Sequence, residues 1–233
     1  MIGVVVPAHN EAEYLFACLQ SLKRASLCPA LKGEEVEIVV VLDDCSDDSA
    51  VIVERFGIRA LPISARNVGF ARREGAAALL ARGARWLAFT DADSVVEHRW
   101  LSSQLELECD AVCGLVSVDD WSGYVPAVRA SYDANYRNQD DHRHIHGANM
   151  GVSATAYAAV GGFLPLALSE DVALVRALEA AGIRIAWSAS PRVSTSARSV
   201  GRAKGGFADF LRDLADQVVA TDGSPASGDI RMV

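Results

Sequence analysis

IGVVVPAHNE, residues 2–11, is the stretch that decides the fold. Its first five residues form a short continuous apolar run, as found in a strand covered on both faces. Pro7 and Asn10 interrupt the run, and from Glu11 to Lys23 apolar side chains recur at Leu15, Cys18, Leu19 and Leu22, the spacing of an amphipathic helix. The same unit repeats downstream. Residues 36–42 (VEIVVVL) read as the second strand, and the DDCSDD that follows supplies caps for a helix over 49–56. Residues 58–63 read as a third strand, 68–82 as an Ala-rich helix closed by Gly83, and 86–90 as a fourth strand running into DADS. A helix near 97–107 and a strand near 111–118 come next. Apolar runs alternating with helices mark parallel βαβ units, so the expected class is α/β, with a mostly parallel, Rossmann-like sheet flanked by helices.

The second half is less regular. A helix is expected over 126–138, a strand over 145–152, and a short helix over 154–160 stopped by Gly161 and Gly162. Residues 169–181 form a clear helix, with Ser169 as cap, an acidic first turn and Gly182 beyond its end. A strand over 183–187 and an amphipathic helix over 207–219 precede a small, polar tail at 221–233, expected to be flexible. One domain over 1–220 is expected, with a nucleotide-binding half (1–94) and an acceptor half (95–220).

The 233 residues are 51% hydrophobic and 22% charged, enough to build a core without disulfides or a structural metal. A formal net charge of −8 excludes a whole-protein nucleic-acid footprint, so an anionic nucleotide must be met locally, by a metal ion or a few arginines. The five cysteines (Cys18, Cys28, Cys45, Cys109 and Cys113) match no zinc or haem spacing. They read as small buried hydrophobes in a reducing, cytoplasmic compartment. The start MIGVVVPAHNE has no basic region or cleavable apolar stretch, and no run of about 18 apolar residues occurs, so neither a signal peptide nor a transmembrane segment is expected. Peripheral membrane contact stays open.

Ligands of open α/β sheets bind beyond the carboxyl ends of the strands. Three polar clusters fall there: Pro7–Ala8–His9–Asn10–Glu11, Asp43–Asp48, and Asp91–Ala92–Asp93. Alternate residues of an extended segment point the same way, so Asp91 and Asp93 can face one ion, and hard oxygen ligands suit Mg²⁺ or Mn²⁺. A helix cap and a turn acid are the plainer alternative. Of Asp43 and Asp44, one can accept from a base N–H or ribose hydroxyl while Ser46, Asp47 or Asp48 caps the next helix; all can equally be caps. Glu170 and Asp171 open a helix whose dipole keeps carboxylates ionised, which suits a general base but is also routine at helix starts. His142, His144 and His146 alternate and can line up as metal ligands; His142 and His144 read better as solvated loop residues, leaving His146 as the substrate or metal candidate. Arg66–Asn67–Val68–Gly69 resembles a loop that lets backbone approach a ligand. Arg72 and Arg73 are either phosphate contacts or surface charge. The stretch from Ser194 through Arg198 to Arg202 is basic and hydroxyl-rich, either a lid over phosphates or an exposed loop.

Taken together, VVVPAHNE at 4–11, VLDDCSDDS at 41–49, RNVGFARREGA at 66–76, FTDADS at 89–94, GANMGVSATAYAAVGGF at 147–163 and SEDVALVRALEAAGIRI at 169–185 resemble the inverting family-2 glycosyltransferases. The resemblance runs in family order to about residue 210. It implies a GT-A fold, a nucleotide-sugar donor, a divalent cation (Mg or Mn) and a small-molecule or lipid-linked acceptor. It implies that Pro7 and Glu11 line the nucleoside pocket and that Asp44 contacts the base with Asp43 beside it. Asp93 would be the main metal ligand, with Asp91 near ribose or metal. Asp171 would be the general base, Glu170 its support or an acceptor contact, and Gly147, Ala148 and Asn149 would lie against donor sugar or acceptor. Ala8, Asn10, Arg66, Gly69, Arg72 and Ala92 would complete the donor site, and Arg198 or Arg202 would face the diphosphate. The chain lacks the Q-x-x-R-W signature of processive synthases. Its STSARSVGR stretch resembles bacterial relatives that glycosylate small phosphorylated acceptors, some with retention, which leaves the stereochemistry open. A nucleotidyltransferase would carry a Gly-rich basic loop where PAHNE stands; a non-catalytic nucleotide-sugar binder is the remaining alternative.

Overall fold

The computed structural model describes residues 1–118, 120–196 and 207–221. Strands β1 (Ile2–Ala8), β2 (Val36–Asp43), β3 (Arg59–Ile63), β4 (Trp86–Phe89), β5 (Ser94–Val96), β6 (Ala111–Val118), β7 (Met150–Ser153) and β8 (Ile185–Thr195) form one sheet in the order β3-β2-β1-β4-β7-β6-β8-β5. All run in one direction except β5 and β7, which pair antiparallel to their neighbours. The helices are α1 (Ala12–Ser26), α2 (Ser49–Arg55), α3 (Val68–Leu80), α4 (Trp100–Glu106), α5 (Pro126–Asn135), α6 (Ala154–Ala159), α7 (Glu170–Ala180) and α8 (Phe207–Thr221). None is long and apolar enough to cross a membrane, among the described residues.

The apolar runs are continuous because both sheet faces are covered. Val4, Val6, Ile38 and Val40 face a core layer with Leu15, Leu19 and Leu22 of α1 and Trp100 of α4. The intervening Val5, Val39 and Val41 face a second layer with Leu79 of α3, Tyr157 of α6, and Leu174 and Leu178 of α7. Glycine sets how closely α3 sits on the sheet: a Cβ on Gly75 would lie 2.5 Å from Val5 Cγ1 and 3.0 Å from Val41 Cγ2. A smaller cluster joins α5 and α8 through Val128, Tyr132, Leu211 and Leu214.

Three expectations change. The three-residue β5 follows DAD and pairs with the end of β8 (Ser94 with Thr195), an element that no pattern announced. The strand expected over 183–187 continues to Thr195, past a register shift at which Gly114 pairs with Ser188 but Leu115 with Arg192. The strand expected over 145–152 begins only at Met150, because 146–149 form a turn in which Asn149 N–H donates to the His146 carbonyl at 2.9 Å.

Candidate active site

The carboxyl ends of β1, β2, β4, β6 and β8 share one edge of the sheet, and the three polar clusters lie along it. After β4, Ser94 N–H closes a turn on the Asp91 carbonyl at 3.1 Å, and β5 turns back towards β8. This pins Asp93: its Oδ1 accepts from Ser94 Oγ at 3.2 Å and from Thr195 Oγ1 at 3.4 Å. Cys18 of α1 reaches the same turn, its thiol donating to the Asp91 carbonyl at 3.4 Å. Burial pushes that thiol far up, and Asp93, Asp91 and Glu11 push it further. Carboxylates from two separate clusters therefore converge on one spot.

Arg72 holds the centre. It lies on the face of α3 that also carries Gly69, Gly75 and Ala76, and it is 3% exposed. Its Nη2 donates to Asp91 Oδ1 at 2.5 Å, its Nη1 donates to Glu170 Oε1, and its guanidinium lies 5.8 Å from the Phe163 ring centroid. Gly147 packs flat on the guanidinium, where a Cβ would collide with it. The expectation of surface charge is thus corrected: Arg72 is a buried cation tying the turn after β4 to the start of α7. A charge in register with the small residues of a buried helix face is the signal that could have revealed it.

Glu170 is buried on Arg72, while Asp171 keeps partial exposure. Asp171 Oδ2 accepts from Gly147 N–H at 2.7 Å, and Oδ1 accepts from Val172 N–H at 2.8 Å, so backbone fixes this carboxylate in place. Ser169 was expected to cap α7 with its side chain. It makes no such bond and instead takes the left-handed conformation, φ 58°.

After β2, the neighbours Asp43 and Asp44 part ways. Asp43, 4% exposed, accepts from the backbone N–H of Ala65 (2.7 Å), Arg66 (2.8 Å) and Asn67 (2.8 Å), so its carboxylate is consumed in building the loop before α3. Asp44, at φ 52°, turns outward and pairs with Arg66 Nε at 2.5 Å. Asp47 accepts from Ala12 N–H at 2.9 Å and Ser49 N–H at 3.0 Å, capping α1 and α2 together. Those bonds outweigh burial and hold its carboxyl below the usual range. Asn10, also left-handed, accepts from Ser46 N–H at 2.8 Å; Glu11 N–H donates to Ser49 Oγ at 3.1 Å; His9 Nδ1, given no role within its polar cluster, lies 2.6 Å from the Asp43 carbonyl. Pro7 lies in β1, partly exposed, opposite Val41 of β2.

Several candidates turn out to be packing. Ala8, Ala92 and Ala148 belong to the core. At Gly69 the approaching backbone is the chain's own: Gly69 N–H donates to the Leu166 carbonyl at 3.0 Å, and a Cβ would collide with the Leu164 and Leu166 backbone. Asn149 is fully buried, accepting from Trp100 Nε1 at 2.8 Å and donating to the carbonyls of Leu115 (2.7 Å) and Pro191 (2.8 Å). Its side chain joins β6, β8 and α4, with both amide protons donated to backbone carbonyls. His142 is buried rather than solvated, stacked 5.4 Å from His144, which stacks 6.0 Å from His146. His146 Nε2 lies 3.1 Å from Tyr136 Oη. Burial, then the rings of His144 and His142, push the His146 pKa down to about 3. Among the described residues no cluster of three or more His, Cys, Asp or Glu side chains is arranged to hold an ion, so the alternating histidines form a neutral stack rather than a metal site. Arg198, Arg202 and the tail beyond residue 221 lie outside the described residues.

A mostly parallel sheet with paired acids after β4, joined through one arginine to an acidic helix start, defines the GT-A glycosyltransferase class. The sequence profile of Glycosyl transferase family 2 matches residues 3–153, and the chain belongs to that family. TarS 1–349 from S. aureus in complex with UDP-GlcNAc is similar in structure over 94% of this chain and 66% of that one, with TM-score 0.66 and 16% identity. The mannosyltransferase PcManGT from Pyrobaculum calidifontis, in complex with GDP-Man and Mn²⁺, is similar over 97% of this chain and 76% of that one, with TM-score 0.65 and 16% identity. At such identities the likeness speaks for the fold, and this chain spans just under two thirds of the length of that TarS structure. A comparison with curated proteins gave no match.

Proposed function

We propose that this glycosyltransferase moves a hexose from a nucleotide-diphosphate donor to an acceptor hydroxyl with inversion at the anomeric carbon. The observation that supports this reading is the convergence of Asp91 and Glu170 on Arg72, which ties the turn after β4 to the start of α7, the helix that carries Asp171. Pro7, Glu11 and the outward-facing Asp44 would contact the nucleoside. Asp171, immobilised by Gly147 N–H, would accept the proton of the acceptor hydroxyl as that oxygen bonds to C1. The bond from C1 to the diphosphate oxygen breaks in the same step, and its electron pair leaves with the nucleoside diphosphate. Arg72 holds Glu170 while backbone N–H groups hold Asp171, so the two adjacent acids have separate partners.

The donor set after β4 fits a divalent cation. Asp93 and Asp91 are hard oxygen ligands with solvent access, and Mg²⁺ or Mn²⁺ commonly takes one or two carboxylates and draws its remaining ligands from phosphate and water. When bound it would offset charge developing on the leaving diphosphate. The five free thiols accord with a reducing, cytoplasmic setting.

The test is a thermal-shift panel of UDP-, GDP- and dTDP-sugars with and without Mn²⁺, followed by transfer assays on Asp171→Asn. A Mn²⁺-dependent shift with one donor class, and loss of transfer with donor binding kept, are expected. Full transfer by Asp171→Asn would overturn the base assignment, and binding without turnover across acceptors would favour a non-catalytic binder.

A further inference from the structure

Between α6 and α7 the chain presents five consecutive apolar residues, Leu164, Pro165, Leu166, Ala167 and Leu168, and all five are exposed. The leucines stand at 52%, 39% and 47% exposure, in a chain that buries most of its large apolar side chains. A fixed backbone holds them there. Gly69 N–H of α3 donates to the Leu166 carbonyl at 3.0 Å, and Asn67 Nδ2 donates to the Pro165 carbonyl at 3.0 Å. Leu166 N–H closes on the Leu164 carbonyl at 2.8 Å, and a Cβ on Gly69 would lie 2.3 Å from that same oxygen. The carbonyls of 164–166 are therefore spent on the start of α3, and the side chains are left to solvent. Phe163, just before them, is fully buried, its ring centroid 4.9 Å from that of Phe89, which fixes where the segment leaves the core.

The charges beside this segment are positive. Arg66, three residues before Gly69, and Arg73, four after it, are both exposed. Arg73 shares a helix face with Gly69. Its charge acts on the Tyr157 hydroxyl, which accepts from Phe163 N–H at 3.1 Å at the root of the segment. Arg66 is engaged by Asp44 at 2.5 Å, whereas among the described residues no carboxylate pairs with Arg73. Of the nearby acids, Glu170 is buried on Arg72 and Asp171 is held by backbone N–H groups. In a chain of net charge −8, an apolar segment edged by arginine is a local exception.

Size decides what can cover it. A stable protein interface takes about 20–30 residues a side and roughly 800 Å² from each partner, far more than five residues present. A short apolar segment with a guanidinium at its edge matches a lipid surface instead. There, apolar side chains enter the boundary between headgroups and acyl chains, and cations gain from anionic headgroups.

We propose that residues 164–168 dock this chain on an anionic lipid bilayer, with Leu164, Leu166 and Leu168 inserted and Arg73 among the headgroups. The docking goes beyond the glycosyltransferase reading and does not depend on it. Leu168 precedes Asp171 by three residues, at most about 11 Å of chain, so a docked molecule holds the start of α7 at the lipid surface.

Cosedimentation of the full chain with vesicles of phosphatidylcholine, alone or mixed with phosphatidylglycerol, tests the proposal. The mixed vesicles should bind about fivefold tighter or more, and Arg73→Gln should remove about fivefold of that affinity. Leu164→Ser, Leu166→Ser and Leu168→Ser together should lower partitioning about a hundredfold while leaving the melting temperature and nucleotide-sugar binding unchanged. Should the triple variant fold poorly, Leu168→Ser alone should still lower partitioning about fivefold. Leu27→Ser, at the end of α1 and 78% exposed, is the control and should bind as the parent does. Absence of vesicle binding, equal affinity for the two compositions, or full binding by the leucine variants overturns the proposal. Binding of monomeric octyl glucoside but not of vesicles overturns it in favour of an apolar group on the acceptor, and leucine-dependent dimerisation in ultracentrifugation overturns it in favour of a second copy. Leucine-dependent vesicle binding by a chain that binds no nucleotide sugar upholds the docking surface and sinks the glycosyltransferase reading alone.

Discussion

Replacing Arg72 with methionine removes the cation while keeping an unbranched stem of similar reach. Arg72 is 3% exposed and Glu170 is 4% exposed, so neither charge has water to fall back on. A buried ion pair is weak evidence of net stabilisation, yet removing one partner leaves the other uncompensated at a cost of about 3–5 kcal/mol. For a chain of this size that corresponds to a drop of roughly 6–20 °C in melting temperature, and it consumes a large part of a typical stability of about 5–15 kcal/mol. Urea denaturation at neutral pH measures it directly. The second arm is Arg72→Met with Glu170→Gln, which removes both charges and should recover about 2 kcal/mol or more of the single-variant loss. The exposed pair Arg66–Asp44 is the control, and Arg66→Met should stay within about 1 kcal/mol of the parent. A single variant as stable as the parent, or strictly additive losses in the double variant, would refute the view that Arg72 compensates a buried acid.

The remaining expectations follow from the same geometry. Asp43→Ala strands three backbone N–H groups and should cost about 2–4 kcal/mol, while Asp44→Ala should cost under about 1 kcal/mol and instead weaken nucleotide binding; denaturation and donor titration of both variants separate the roles. Gly69→Ala drives a methyl into the Leu164 and Leu166 backbone and should destabilise by about 1–3 kcal/mol or prevent folding, and equal stability by calorimetry would contradict the packing described. His146 titrates at about 3 in the folded chain against 6.5 unfolded, so the stability it contributes is present above about pH 6.5 and is lost as pH falls towards 3. His142 and His144 are lowered in the same direction and add to this, so stability should fall by about 1 kcal/mol or more per pH unit as pH drops from 6 to 4.5. Denaturation across that window with His146→Gln should show a shallower slope; identical slopes would exclude the neutral stack as the cause.

The elements most readable in the sequence were those whose pattern matches a physical period. IGVVV at 2–6 and IVVV at 38–41 are apolar because helices cover both faces, and the acids after them fall at the carboxyl edge by topology alone. What escaped was set by partners distant in the chain. Ser94–Val96 is too short to announce itself and exists as a strand because Val193, Ser194 and Thr195 pair with it. The later part of β8, SASPRVST, is polar and contains a proline, and it is held by β6 beyond a register shift. Asp43 and Asp44 are identical as letters, and only the left-handed backbone at Asp44 turns one carboxylate inward and the other out. The resemblance alone put Asn149 against a sugar; its burial against Trp100 depends on α4, more than forty positions earlier.

The quartet of Arg72, Asp91, Gly147 and Glu170 also restricts how this scaffold is recombined. It draws two members from the chain up to and including DADS and two from after it, so a chimera exchanging everything after DADS inherits half of a charge balance. A graft without an acid at 170 would bury an orphan guanidinium, and one with any side chain at 147 would evict it. Crossovers that carry all four positions from one parent are the ones expected to fold.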